Sequence, residues 1–313
     1  MLKHRSCATL LRLLIGIKMN HRGFIKSLTP RQRQELTEKS DGVACKNLAV
    51  HWGLILLAGW LIAERVFIWP VLMVLQGALL VFLFTLMHET IHRTAFATRS
   101  VNDWVARVCG MVILLPPEWF RYFHYAHHRF TQDPVKDPEL ATGKPETHLQ
   151  YLKHLSGIPV WIGQLRTLWK NATGNATDSF IPSSAVSRVR SEARKMLSIY
   201  TVLLVGSIWF SSKLLLFTWI LPVLLGQPLL RFYLLAEHTN CAKVNDMFAN
   251  TRTTFTNVLV RLFAWNMPYH AEHHAFPNVP FFRLAALHKL MKNHLHETES
   301  GYLSFNRKYI SAL

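Results

Sequence analysis

Long apolar runs alternate along this chain with shorter polar segments rich in histidine. Leu48 to Ala63 and Val66 to Met87 are apolar, parted by the Glu64-Arg65 pair with Pro70 close behind. A second pair comes much later, Met196 to Phe210 and Leu214 to Ala236, parted by Ser211-Ser212-Lys213. At about 1.5 Å of rise per residue, the 66–87 run covers roughly 33 Å, enough for the hydrocarbon core of a bilayer, whereas the 48–63 run is marginal. Pro222, Gly226 and Pro228 in the last run would damage a helix in water but are tolerated in lipid. The pattern predicts four membrane-spanning helices in two hairpins, at about 48–63, 66–87, 196–210 and 214–236. Buried helices of a soluble bundle are the alternative, and stretches this long and this nearly uncharged are hard to bury there.

Composition agrees with the pattern. Half of the residues are hydrophobic, 17% are charged and the mean hydropathy is +0.15; a soluble domain carries about a quarter charged residues. Aromatic residues at 12% exclude disorder. Cys7, Cys45, Cys109 and Cys241 are scattered without a C-x-x-C, which excludes a disulfide framework. The net charge of +17 invites a nucleic-acid reading. Its distribution argues against one, because the basic residues sit between apolar runs and form no single stripe. Arg99, Arg107, Arg121, Arg129, Arg166, Arg188, Arg190 and Arg194 crowd the segment between the hairpins, and Lys3, Arg5, Arg12, Arg22, Arg31 and Arg33 precede the first. The positive-inside rule then places both termini and the central loop in the cytoplasm.

Residues 1–27 read as a poorly ordered N-terminal extension and 28–313 as one domain. Leu10 to Ile17 looks superficially like a signal peptide but lacks a small-x-small cleavage site, and Met19 could equally be the start. Thr29-Pro30-Arg31-Gln32 has the form of a helix start, with Thr as N-cap and Pro at the first helical position. The sequons at Asn171 and Asn175 fall on the cytoplasmic side, where glycosylation is not expected.

The abnormal feature is the histidine content, 17 residues. Four sites stand out: His88-Glu89-Thr90-Ile91-His92 after the second span, His124-Tyr125-Ala126-His127-His128 in the central loop, Glu237-His238-Thr239-Asn240 after the fourth span, and His270-Ala271-Glu272-His273-His274 near the C-terminus. On a helix, positions i, i+3 and i+4 share one face, so each box aims two or three imidazoles at one point. Together these sites supply nine ring ligands on one side of the membrane. A single zinc takes about four, so nine is the stoichiometry of a dinuclear centre. Imidazole suits iron, copper and zinc alike, so the ligands alone do not choose the metal. His88-Glu89-x-x-His92 is also the HExxH of zinc proteases, but such an enzyme has no use for two HxxHH boxes. A protein that merely stores or senses metal is the remaining alternative. Ligating histidines usually give their second N–H to a carboxylate or carbonyl, which makes Glu89, Asp133, Asp137, Glu237, Asn240 and Glu272 candidates to orient the rings.

With the boxes in place, the chain resembles the membrane fatty acid desaturase/hydroxylase superfamily, the histidine-box non-haem diiron enzymes. The resemblance runs from about Leu28 to His288 and includes the order HETIH, HYAHH, HAEHH and the segment from His270 to Pro280, HAEHHAFPNVP. It implies an all-α integral membrane fold with a cytoplasmic helical cap carrying two irons. It also implies O2 as co-substrate, with His88, His92, His124, His127, His128, His270, His273 and His274 as ligands and His238 as the additional one. The ligands are then themselves the catalytic residues. Box one is HxxxH where acyl-CoA desaturases often have HxxxxH, which leaves acyl-CoA specificity open. The reaction expected is desaturation of a fatty-acyl or other lipid-like chain, with hydroxylation or ketolation in the same superfamily as the alternative. No GxGxxG, iron–sulfur cysteine set or His-Pro-Gly-Gly is present. Electrons are therefore expected from a separate ferredoxin, rubredoxin or cytochrome b5 type of donor, steered by the basic face. A bacterial inner membrane is preferred to the endoplasmic reticulum as the setting.

Overall fold

The computed structural model describes residues 19–174 and 177–313; the Leu10 to Ile17 run and Asn175 lie outside the described residues. The described chain is mostly helical. Its strands are two residues long, Thr253–Thr254 paired in parallel with Thr298–Glu299. Local chemistry sets the helix starts. Thr29 and Gln32 form a capping box ahead of Pro30–Thr37, with Pro30 in the first turn. Ser40 caps the next helix, Asp41–Ala63, by accepting from Val43 N.

Among the described residues, three helical stretches are long and apolar enough to cross a membrane: Pro30–Ala63, Trp69–Ile91 and Leu216–His238. The expected fourth span is not among them. Met196 to Trp209 is the second half of the helix Val186–Trp209, and the apolar part covers only about 21 Å. Its first half carries Arg188, Arg190, Glu192, Arg194 and Lys195, so the helix grows out of a charged segment without a break. The N-terminal boundary also moves. His21–Ser27 is a helix, His21 Nδ1 lies 3.0 Å from Asp246 Oδ1, and Phe24 is buried against Phe248. The chain is therefore folded well before residue 28.

The stretches ending at Ile91 and His238 cross in intimate contact. A Cβ on Gly77 would meet Pro222 O at 2.2 Å, and one on Gly226 would meet Gly77 O at 2.2 Å. Small residues let helix backbones approach this closely in an apolar surrounding, where packing must replace the hydrophobic effect. Pro228 lies inside the second of these helices two residues nearer the histidine, and Phe82 marks a break in the first between Trp69–Val81 and Leu83–Ile91.

Two shorter helices, His148–Leu155 and Ile158–Thr173, lie between the histidine boxes in sequence. In the longer one Ile158, Ile162, Leu165 and Trp169 form an exposed apolar stripe at helical spacing. The opposite face, Val160, Gly163, Gln164 and Thr167, lines an internal cavity.

The crossing predicts a sharp contrast between glycines. Gly226→Ala should cost about 1–3 kcal/mol by overpacking, seen as an earlier thermal unfolding transition of the detergent-purified protein. Gly206→Ala, whose added Cβ meets nothing within 4 Å, should leave the transition in place or raise it slightly.

Candidate metal centre

Box one occupies the end of the second apolar stretch, with His88 on the helix Leu83–Ile91 and His92 as its C-cap. Box two lies on Pro117–Phe130, started by Pro117 and Glu118, with His127 and His128 in its last turn. That helix is tied down on both sides. Arg121 Nη2 reaches Asp103 Oδ1 at 2.7 Å, Arg93 Nε reaches the same oxygen at 3.0 Å, and Tyr125 OH donates to Ile91 O at 2.9 Å. Box three is the short buried helix His270–Ala275. His238 closes the last apolar helix and is buried.

The fold gathers all nine rings. One ligand atom from each of His88, His92, His124, His128 and His273 lies within 4.8 Å of all the others, and the same holds for His127, His238 and His274. His270 joins the second group, its Nε2 3.0 Å from His238 Nε2, which is itself 3.1 Å from His127 Nε2. The groups are adjacent: the His128 and His274 rings stack at 4.0 Å. Two nitrogens held by one metal at about 2.1 Å and a right angle lie about 3.0 Å apart, so these spacings suit shared coordination.

The nitrogens themselves argue for a metal. His88, His92, His124, His128, His270, His273 and His274 each keep at least one buried ring nitrogen without a hydrogen-bond partner among the described residues. Each such group costs about 1–3 kcal/mol when left unsatisfied. The rings that carry them meet in one place, where they could give lone pairs to a metal, and the donor set fits a pair of imidazole-binding transition metals.

The candidate orienting residues divide. Asp137 Oδ1 sits 2.9 Å from His127 Nδ1, and its other oxygen accepts from Gln132 N. Glu237 Oε1 is 3.6 Å from His270 Nδ1, and Glu89 Oε2 is 4.0 Å from His273 Nδ1. The rest are placed elsewhere. Glu272 holds His288 Nδ1 at 2.5 Å and Thr253 Oγ1 at 2.5 Å, because position three of a single helical turn points away from the face that carries the histidines. Asp133 accepts from Val135 N and Lys136 N within its own turn. Asn240 is exposed, in a left-handed turn at φ 61°.

Other partners carried no side-chain signature. Asn250 O faces His238 Nδ1 at 3.2 Å, and Thr131 Oγ1 faces His274 Nδ1 at 3.3 Å. Glu139, two residues after Asp137, brings Oε2 within 3.3 Å of His127 Nε2. The Asp-Pro-x-x-Asp-Pro run that drew notice to Asp137 could have been read one residue further.

A cavity of about 590 Å³ opens beside the histidines. His88, His124, His127 and His270 contribute to its wall, followed by Phe84, Trp119, Phe120 and Phe123. Thr142, Gly143, Gln150 and Lys153, all exposed, line its open end.

A family model described as fatty acid desaturase matches residues 65–306, a stretch that encloses all nine histidines. The chain belongs to the fatty acid desaturase family. Among similar proteins, the dihydrorhizobitoxine desaturase of Bradyrhizobium elkanii is 28% identical over 242 residues, 72% of this chain and 67% of that protein. The Delta(12) fatty acid desaturase FAD2 of Calendula officinalis is 24% identical over 253 residues, 72% and 66% of the two chains. The sphingolipid delta(4)-desaturase of Komagataella phaffii is 25% identical over 211 residues, 65% and 56%. The chain thus spans about two thirds of the length of the first two relatives and little more than half of the third. Fatty acid desaturases are oxidoreductases, and the histidine clusters are the part of this family member suited to redox chemistry.

Two outcomes follow from the geometry. Asp137→Asn should weaken metal retention about 10–100-fold, the usual effect of losing the partner that orients a ligating histidine, whereas Asp133→Asn should leave it unchanged; competition with a chelator measures both. Burial, reinforced by the neighbouring rings, holds His124, His128, His270, His273 and His274 well below the ordinary imidazole range. Burial also opposes the charge of His127, but Glu139 and Asp137 outweigh it and raise its pKa. In metal-free protein the five depressed rings bind fewer protons folded than unfolded. Stability should therefore be complete above about pH 6.5, the unfolded value, and fall as pH drops below it. His127 acts in the opposite sense, one ring against five. Thermal transitions of the chelator-treated protein across this range provide the check.

Proposed function

We propose that this chain is an O2-dependent diiron oxidoreductase that introduces a double bond into a fatty-acyl or other lipid-like chain. The observation that carries the reading is the convergence of nine imidazoles, seven with unpartnered buried nitrogens, beside a largely apolar cavity that four of them help to wall. Two irons, when bound, supply an oxidant from O2 strong enough to break an unactivated C–H bond, which no side chain can do. The chain's own residues do the rest. Phe84, Trp119, Phe120 and Phe123 give an apolar chain a dry path to the histidines. Asp137 fixes the ring of His127, and Asn250 O fixes that of His238. The protease alternative is disfavoured by the company of box one: His88 and His92 meet three further rings, those of His124, His128 and His273, with a second group of histidines beside them, more ligands than one zinc takes.

The membrane reading rests on the three long apolar stretches. We add Val186–Trp209 as a fourth, shorter crossing that pairs with Leu216–His238, with the cap, the histidines and both termini on the cytoplasmic side of a bacterial inner membrane. The two-faced helix Ile158–Thr173 then lies flat on the bilayer, its apolar stripe in lipid and its other face walling the cavity. A lipid-like substrate thus reaches the cavity beside the phase in which it dissolves. Electrons come from a separate ferredoxin, rubredoxin or cytochrome b5 type of donor drawn to the basic surface.

Metal analysis and product mass test this reading together. Protein purified from iron-replete cells should hold about two irons, the dinuclear number for nine ligands, and lipid from expressing cells should show a loss of two hydrogens. A gain of one oxygen would assign hydroxylation, and one zinc per chain would overturn the diiron reading. His238→Ala should lose iron and turnover while remaining folded and membrane-inserted. Unchanged iron and activity in that variant would remove His238 from the ligand set.

A further inference from the structure

The second histidine group contains a carboxylate that none of the motifs announces. His127 has only two ring nitrogens. Its Nδ1 is taken by Asp137 Oδ1 at 2.9 Å, so Nε2 alone is left to hold a metal. Glu139 Oε2 lies 3.3 Å from that same Nε2. Two donors bound to one metal at about 2.1 Å, at right angles or slightly wider, are separated by about 3.0–3.3 Å. Anything His127 binds through Nε2 is therefore within reach of Glu139.

The placement is built and does not depend on a loose side chain. Asp137 Oδ1 also accepts from Glu139 N at 3.0 Å, so one carboxylate oxygen fixes both the His127 ring and the backbone that carries Glu139. Pro138 stiffens the intervening turn at the start of the 3-10 helix Pro138–Thr142. At the far end of the side chain, Lys144 Nζ holds Oε1 at 3.3 Å, which leaves Oε2 turned towards the histidines. Glu139 also lines the cavity, on the side from which a small oxidant or substrate would approach.

We propose that Glu139 is a carboxylate ligand of the metal held by His127, His238, His270 and His274, which makes that ion's ligand set mixed nitrogen and oxygen while the ion of His88, His92, His124, His128 and His273 is held by imidazole alone. The two ions then differ chemically. An anionic oxygen donor lowers the net charge and hardens the second site, so that ion favours its oxidised state more than its neighbour does. The inference rests on the diiron reading.

The test uses full-length protein loaded with 57Fe in detergent, comparing wild type, Glu139→Gln and Lys144→Met. Glu139→Gln is isosteric and partly exposed, so folding is not at stake. Mössbauer spectra should show one of two iron sites altered in Glu139→Gln and the other unchanged. Release of that one iron to a chelator should be about tenfold faster or more, the scale on which losses around a metal site act. Lys144→Met loosens the far end of the side chain but keeps the carboxylate, so its spectrum should stay much closer to wild type than that of Glu139→Gln. The proposal is overturned if Glu139→Gln keeps wild-type spectra and release, or if Lys144→Met produces the same change, because Glu139 would then be no more than half of an ion pair at the cavity wall. Wild type without two irons overturns the diiron reading itself, and that result is visible before either variant is compared.

Discussion

Nine imidazoles, most of them buried, must be held together in one place, and most of the molecule is arranged around that demand. Their lone pairs are useless to the fold until a metal takes them, so the fold must carry their desolvation from elsewhere. The helices deliver it. Gly77 and Gly226 meet backbone to backbone, eleven residues before His88 in one helix and twelve before His238 in the other. Both helices run the same way from the crossing, and about 17 Å of each lies beyond it. A shared origin and nearly equal lengths bring His88 and His238 to the same level. The crossing thus sets the depth of the centre, and boxes two and three are then packed on from the side of the cap.

This division of labour explains what the sequence made legible. Histidine spacing is a local property, because i, i+3 and i+4 on a helix face one way wherever the helix is put. The nine rings could therefore be named before their meeting point was known. Apolar length is equally local, which is why the stretches ending in His88 and His238 were readable. Val186–Trp209 is less legible, because an apolar run says nothing about the charged turns that continue the same helix in front of it. The orienting groups were half legible. Asp137 follows its histidine closely, but Asn250 offers only a backbone carbonyl, and Glu272 adjoins His273 in sequence yet points to His288 and Thr253. Adjacency along a helix places side chains about 100° apart, so neighbours in sequence are seldom neighbours in function.

Family membership and geometry bear on different questions. The match over residues 65–306 says what kind of scaffold this is. The relatives it resembles are named for quite different molecules, dihydrorhizobitoxine, a fatty acid and a sphingolipid. The cavity of this chain has aromatic walls and histidines at one end. Gln150 and Lys153 stand at its open end, and the helix Ile158–Thr173 forms part of one wall.

His51 shows why the box histidines cannot be explained as ordinary core residues. It too is buried in an apolar helix, and by burial alone it is indistinguishable from His88. Both of its nitrogens are spoken for, however: Nε2 lies 2.9 Å from Leu79 O, and Nδ1 accepts from the indole of the fully buried Trp265 at 3.3 Å. Those partners set the tautomer, with the proton on Nε2, and make the ring a bridge between the spans and the C-terminal segment. A histidine retained for packing looks like this, its donor and acceptor both matched by the protein. His88 has neither nitrogen matched, at a comparable depth and on the helix whose Leu79 carbonyl serves His51. The same scaffold could have furnished acceptors for His88 had the ring been structural. That it instead surrounds His88 with other unmatched imidazoles is the strongest physical reason to regard the cluster as a binding site and not as a core.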